Sequence, residues 1–192
     1  IQLFLHYITN IYKKMNRYIN HINNTELNIS LYCNKLTSNN NFIFYFYRLI
    51  TSTADWWMYL IYAFLLLLIS NYETAINAIT FGSLAYFFHY PIYYTIKNTT
   101  KRKRPFDQKR NNIKCFVKPP DKYSMPSGHT SGITITTLTI IYYFPVVTKL
   151  LLIWPLLIAL SRIFLGVHYP SDTIIGCILG CICYYIAYLI LI

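Results

Sequence analysis

The sequence predicts an all-α fold, a polytopic membrane bundle of about five transmembrane helices, and three observations carry that reading. The 192-residue chain is 55% hydrophobic and only 12% charged, against about 25% charged in an average soluble domain. Four long stretches hold no Asp, Glu, Lys or Arg, and each approaches the roughly 20 residues a helix needs to cross a bilayer. The segments richest in polar and charged residues sit two crossings apart, which puts them on one face of the membrane.

Residues 1–41 are Asn-rich and hold no span. They are expected to lie outside the domain, either as a disordered lead-in or, before Met15, as incidental sequence if Met15 is the initiator. No secretory leader is expected, since a charged start, a short apolar run and a small-residue cleavage site do not occur together there. The stretch NNNFIFYFYRLI, residues 39–50, reads either as an aromatic helix lying on the membrane surface, with Arg48 reaching headgroups, or as one core-packing turn. Residues 42–192 form one helical membrane domain.

The expected spans are 56–72, 74–96, 130–148 and 173–192. A fifth run, 150–161, covers only about 18 Å as a helix and reaches full length by continuing through Arg162 to Val167. An unpaired Arg at the membrane boundary costs at least ~2.5 kcal/mol, so an anionic partner is expected beside Arg162. If the N-terminal segment also crosses, the count becomes six. Twenty Tyr and twelve Phe suit rings at the bilayer interface and equally an AT-rich genome. Cys33, Cys115, Cys177, Cys181 and Cys183 make an odd set without zinc-ligand spacing, read as core or lipid-facing thiols. No metal, cofactor or nucleic-acid partner is expected.

Three polar clusters carry chemistry. In KNTTKRKRP, residues 97–105, Lys97 closes a span and Arg104 precedes Pro105; Arg offers a planar fork matched to phosphate oxygens and Lys a point charge. In SMPSGHTSG, residues 124–132, Pro126 suits the first position of a helix. Ser127, Gly128 and His129 then fall in a first turn whose free N–H groups favour an anion, and His129 is placed to protonate a leaving oxygen. In SRIFLGVHYPSD, residues 161–172, His168 precedes a second Pro-started helix whose Asp172 folds back to orient the ring, leaving the other nitrogen nucleophilic. Read singly, these are a headgroup patch, an ordinary helix start and a structural His–Asp pair. Together they give three cations, an anion nest, two His and one orienting carboxylate on one face. Too few carboxylates accompany them to hold magnesium or zinc well, which points to phosphoryl transfer with Arg and Lys in place of a metal.

The spacings K-x6-R-P from Lys97, P-S-G-H from Pro126 and S-R-x5-H-x3-D from Ser161 resemble the three motifs of the type 2 phosphatidic acid phosphatase (PAP2) superfamily. Each is complete and in the family's order. The resemblance covers roughly residues 42–192. It implies that His168 attacks phosphorus and becomes a phosphohistidine, that Asp172 orients it, and that His129 protonates the leaving oxygen. It also implies that Lys97, Arg104, Ser127, Gly128 and Arg162 hold the phosphoryl oxygens. The five-span plan is similar to small bacterial members that act on undecaprenyl pyrophosphate, the preferred substrate; phosphatidylglycerophosphate, phosphatidic acid and lipid A are alternatives.

The expected site is a multi-pass cell-membrane protein acting on a membrane lipid, with its oligomeric state open. On the five-span plan all Lys and Arg except Lys149 lie on the motif-bearing side, which the positive-inside rule assigns to the cytoplasm. The bacterial relatives imply the outer side. Lys101, Lys103, Lys109 and Arg110 are expected to attract anionic lipid. Rival readings are a vanadate-dependent haloperoxidase, which the spans oppose, and an anion or lipid carrier, which has no need of the His168 and Asp172 pair.

Overall fold

The computed structural model describes residues 2–108, 112–145 and 149–191, with the side chains of 21–108, 112–145 and 150–191. The protein is all-helical, 78% helix, with no strand among the described residues. A long helix α1 (Gln2–Asn39) runs into α2 (Asn41–Ser52) across Asn40, whose extended backbone and side-chain oxygen cap Phe42 and Ile43. That oxygen satisfies donors that no intrahelical carbonyl reaches. A turn at 53–57 leads to α3 (Met58–Ile69) and then α4 (Tyr72–Thr100), capped by Asn71 on Thr74 N. Pro91 removes one donor inside α4 without ending it, and Lys101, at φ 45°, turns the chain out of the helix.

A loop with a short 3-10 turn, Pro105–Asp107, leads to α5 (Gly128–Tyr143). A second 3-10 turn, Lys149–Leu152, leads to α6 (Ile153–Phe164), and α7 (Pro170–Leu191) completes the fold. The centre is α5, packed against α4, α6 and α7; α4 also packs on α7, and α1 and α2 pack on α6. Phe81, Ala85, Ile135, Leu179, Cys183 and Ala187 form the buried core between α4, α5 and α7. The seam between α5 and α7 is tight because Gly176 and Gly180, one turn apart, face it. A Cβ on Gly176 would stand 2.6 Å from Ser127 O, and one on Gly180 2.6 Å from Ser131 O. Small residues at this spacing let two helix backbones approach closely.

The outer surface is apolar. On α7, Ile174, Ile178, Ile182, Tyr185 and Leu189 are exposed at intervals of three and four residues, one stripe of the helix. Leu60, Phe64 and Leu68 do the same on α3.

Length and composition together mark one of the five expected spans. Among the described residues, α7 is the one helix both long and apolar enough to cross a bilayer; Met58–Ile69 and Leu150–Phe164 are apolar but shorter. Two of the others are shorter helices for local reasons. The chain spends residues 53–57 on a turn before α3. Pro145 disfavours helix at Phe144, where α5 stops, and the expected end of that span, 146–148, lies outside the described residues, as do Lys109 and Arg110.

The N-terminal segment also differs from the lead-in that composition predicts. The second half of α1 is tied to the domain: Asn34 pairs with both backbone groups of Lys114, at 2.8 and 2.9 Å, and Thr37 donates to Phe164 O. The aromatic helix of residues 39–50 divides its faces, with Tyr47 stacked on Phe164 while Phe42, Tyr45 and Leu49 stay exposed.

Candidate active site

Two helix starts meet at the site. The Ser127 N–H donates to Asp172 O at 2.9 Å, so the first turns of α5 and α7 are held together. The α5 start lies two residues beyond the expected one: Ser127 is the cap and Gly128 the first helical residue, with Pro126 outside. Gly128 and His129 therefore carry first-turn N–H groups that no helical carbonyl takes. Both residues line a cavity of about 680 Å³, together with Lys97, Arg104, Arg162 and His168. This brings together six of the eight residues predicted from the sequence. Asp172 stands behind His168. Ser127 does not line the cavity. Its fully buried hydroxyl is taken up by the α5 cap, bonded to Thr130 Oγ1 at 2.9 Å and Thr130 N at 3.4 Å.

His168 is held with Nε2 3.3 Å from Arg104 Nη1. Arginine only donates, so Nε2 is the acceptor and the ring proton sits on Nδ1, toward Asp172. Asp172 Oδ2 is 3.6 Å from Nδ1, just beyond hydrogen-bond length, and accepts the Tyr169 N–H at 2.8 Å. The other oxygen, Oδ1, is bound by Arg102 at 2.7 Å. Burial lowers the His168 pKa to about 3, reinforced by the Arg104 and Arg162 charges and opposed by Asp172. The imidazole is thus neutral at physiological pH, the state a nucleophile needs.

The cations are arranged unequally. Lys97 and Arg104 share Asp121: Lys97 Nζ is 2.8 Å from Oδ2 and Arg104 Nη2 2.7 Å from Oδ1. Tyr93 bonds both Lys97 and Asp121. Burial pushes the Asp121 carboxyl up, but the hydrogen bonds and charges of Lys97, Tyr93 and Arg104 hold it below its ordinary value. Arg162 is buried and its Nη1 donates to Thr51 Oγ1 at 2.7 Å, while its Nε has no hydrogen-bond partner among the described residues. The anionic partner expected for it is therefore not a carboxylate in direct contact. A buried guanidinium with unused donors, lining a cavity, is a site for an anion that enters from outside.

Several residues at the site escaped the sequence reading: Asp121, Asp55 on His129 at 3.1 Å, Arg102 on Asp172, and Glu26, which binds Arg102 and the Ser171 N–H. Arg48 was expected at the headgroups and lines the cavity. No group of three or more His, Cys, Asp and Glu side chains gathers in metal-ligand fashion among the described residues.

Known proteins resemble this chain in sequence and in fold. The decaprenylphosphoryl-5-phosphoribose phosphatase of Mycobacterium tuberculosis is 38% identical over 85 residues, 44% of this chain and 45% of that protein. The undecaprenyl-diphosphatase of Sulfolobus acidocaldarius is 36% identical over 78 residues, 40% and 37% of the two chains. The matches thus span less than half of these relatives' length. Among solved structures, the transmembrane PAP2-type phosphatidylglycerolphosphate phosphatase of Bacillus subtilis matches 89% of this chain and 86% of its own, with a TM-score of 0.68 and 16% identity. Aquifex aeolicus LpxE matches 85% and 94%, with a TM-score of 0.69 and 18% identity. At these identities the likeness is one of fold. The PAP2 superfamily model covers residues 74–191, from the start of α4 to the end of α7 and through all three motifs, so the chain belongs to the PAP2 superfamily.

Proposed function

We propose that the protein is a membrane phosphohydrolase that removes phosphate from a polyprenyl lipid, with undecaprenyl pyrophosphate the preferred substrate, through a phosphohistidine on His168. The observation that carries this is one cavity holding a neutral His168, the under-bonded cation Arg162, Lys97, Arg104, and His129 at a helix start. The polyprenyl preference rests on the relatives, whose names place polyprenyl carriers on the substrate side. Phosphatidylglycerophosphate, phosphatidic acid and lipid A stand second.

In this reading a phosphoryl group enters among Lys97, Arg104, Arg162 and the Gly128 amide. Its oxygens displace Arg104 from Nε2 and draw Lys97 and Arg104 away from Asp121. The Nε2 lone pair attacks phosphorus, the P–O bond to the leaving group breaks, and the leaving oxygen takes its proton from His129. The imidazolium formed on His168 presents Nδ1–H to Asp172, and that contact shortens as charge develops. Water then attacks the phosphohistidine with His129 as base. The cations stabilise the equatorial oxygens in a buried setting where such charge pairs are strong. The exposed apolar stripes on α3 and α7 suit a chain embedded in lipid, with the polyprenyl tail left in the bilayer.

Phosphate release in detergent tests this, from undecaprenyl pyrophosphate and phosphatidic acid with EDTA present. Release that persists with EDTA, favours the polyprenyl lipid and falls at least about a thousandfold in His168→Ala is the expected outcome. Release abolished by EDTA contradicts the mechanism, and preference for phosphatidic acid contradicts the substrate.

A further inference from the structure

His129 is not alone at the cavity wall. Its Nε2 lies 3.1 Å from Asp55 Oδ1, across 74 residues of chain. Asp55 belongs to none of the three motifs. It sits in the turn between α2 and α3, and that turn is fixed by side chains around it. Tyr62 donates to Thr53 O at 2.6 Å, Trp154 Nε1 donates to Thr53 Oγ1 at 2.9 Å, and Tyr59 donates to Ala54 O at 3.3 Å. Ala54 itself is buried with Ile133 of α5 and Ile158 of α6. The residue before Asp55 is therefore seated in the core between the helices that carry His129 and Arg162. A turn held by three aromatic side chains and a buried alanine is a platform for the carboxylate.

We infer that Asp55 is a positioning residue for the general acid, forming with His129 a second His–carboxylate pair that fixes the ring and favours its protonated form. This rests on the phosphohydrolase reading above. With Nε2–H directed at Asp55, the nitrogen left to carry the transferable proton is Nδ1. The step balances as one proton passed from Nδ1 to the leaving oxygen as the P–O bond breaks, with the new P–N bond on His168. The need for such a partner is electrostatic. The charged groups facing His129 are Arg104 from the loop, Arg162 from α6 and Asp55 from the turn, while Arg48 of α2 reaches Asp55. Burial first, then the Arg162 and Arg104 charges, oppose a proton on His129; Asp55 favours one and offsets part of the lowering. A cavity that holds phosphate with cations works against its own acid, and Asp55 is the carboxylate on His129 that counters them. The hydrogen bond to His129 in turn holds the Asp55 carboxyl below its ordinary value, so the anion is present across the physiological range.

Asp55→Asn keeps the shape of the side chain and removes its charge. Hydrolysis of an alkyl phosphate, whose leaving group needs a proton, is expected to fall about 10- to 100-fold in kcat. Hydrolysis of p-nitrophenyl phosphate, whose leaving group does not, should fall less than about threefold. The double variant Asp55→Asn/His129→Ala should lose no more than His129→Ala alone. An equal loss on both substrates, or additive losses in the double variant, overturns the proposal. A readout independent of turnover separates it from the function: carbethoxylation of His129 by diethyl pyrocarbonate against pH, followed by mass spectrometry of the peptide. In Asp55→Asn the midpoint should move to lower pH by about one unit, an unmoved midpoint overturning the pairing even in an active enzyme. A parent inactive on undecaprenyl pyrophosphate and on both of these phosphates, whose midpoint still moves, would support the pair and reject the phosphohydrolase reading.

Discussion

His168, Arg104 and Asp121 show how single residues prepare the site before any substrate arrives. Nε2 of His168 rests against Arg104, and Arg104 and Lys97 rest on Asp121, so imidazole and cations are oriented by one another. The burial that keeps His168 neutral has a consequence for stability. Its pKa is about 3 when folded and about 6.5 in an unfolded chain. As pH falls below 6.5 the unfolded chain takes up this proton first, so stability drops from 6.5 downward and levels near 3. Thermal unfolding in detergent between pH 7 and 4 should show the parent losing stability more steeply than His168→Gln. Parallel slopes would mean that His168 is not the buried neutral group described here. At this scale the motif residues were legible because each type has few other reasons to occur in such spacing. Asp55, Asp121 and Glu26 were not, because their partners lie 74, 24 and 76 residues away. Nothing local marks a carboxylate that finds its cation only through tertiary packing.

At the scale of elements, the seam between α5 and α7 decides where the phosphate cradle stands. Ser127 contributes to this seam rather than to the cavity: its hydroxyl caps α5, its N–H reaches Asp172 O, and its carbonyl lies where a Gly176 side chain would be. Gly176→Ala should therefore push the α5 start away from α7, costing about 1–3 kcal/mol and lowering turnover with it. Gly82→Ala is the control, since its Cβ would meet only Thr139 Cγ2 at 3.9 Å and replacing a helical Gly gains up to about 1 kcal/mol. Unfolding midpoints and kcat measured together check this; equal behaviour of the two variants would contradict the seam. The start of α7 at Pro170 was legible, since proline fits a first helical turn. The start of α5 was displaced by two residues because Ser127, a strong capping residue, took the cap and left Pro126 outside the helix. The Gly176 and Gly180 pair stood in the sequence as GCILG, yet its partner surface on α5 was visible only once the helices were packed.

For the molecule as a whole, composition identified an all-helical chain with apolar stripes on its exterior, and the motifs identified residues that line one cavity. Helix length was less legible, because hydrophobic runs mark what lipid accepts and not where proline or a turn stops a helix. The chain upstream of residue 42 was also misjudged by composition: polar helices such as α1 earn their place through a few contacts, here Glu26, Asn34 and Thr37. Through Glu26 and Arg102 that helix is linked to Asp172, the carboxylate behind His168. The central claim is that His168 becomes phosphorylated. Rapid mixing with ³²P-labelled undecaprenyl pyrophosphate, an alkaline quench and peptide mapping test it most directly. Alkali-stable, acid-labile label on the peptide holding His168, absent in His168→Ala, is the predicted result. Phosphate release without any labelled intermediate, or label on another residue, would contradict it.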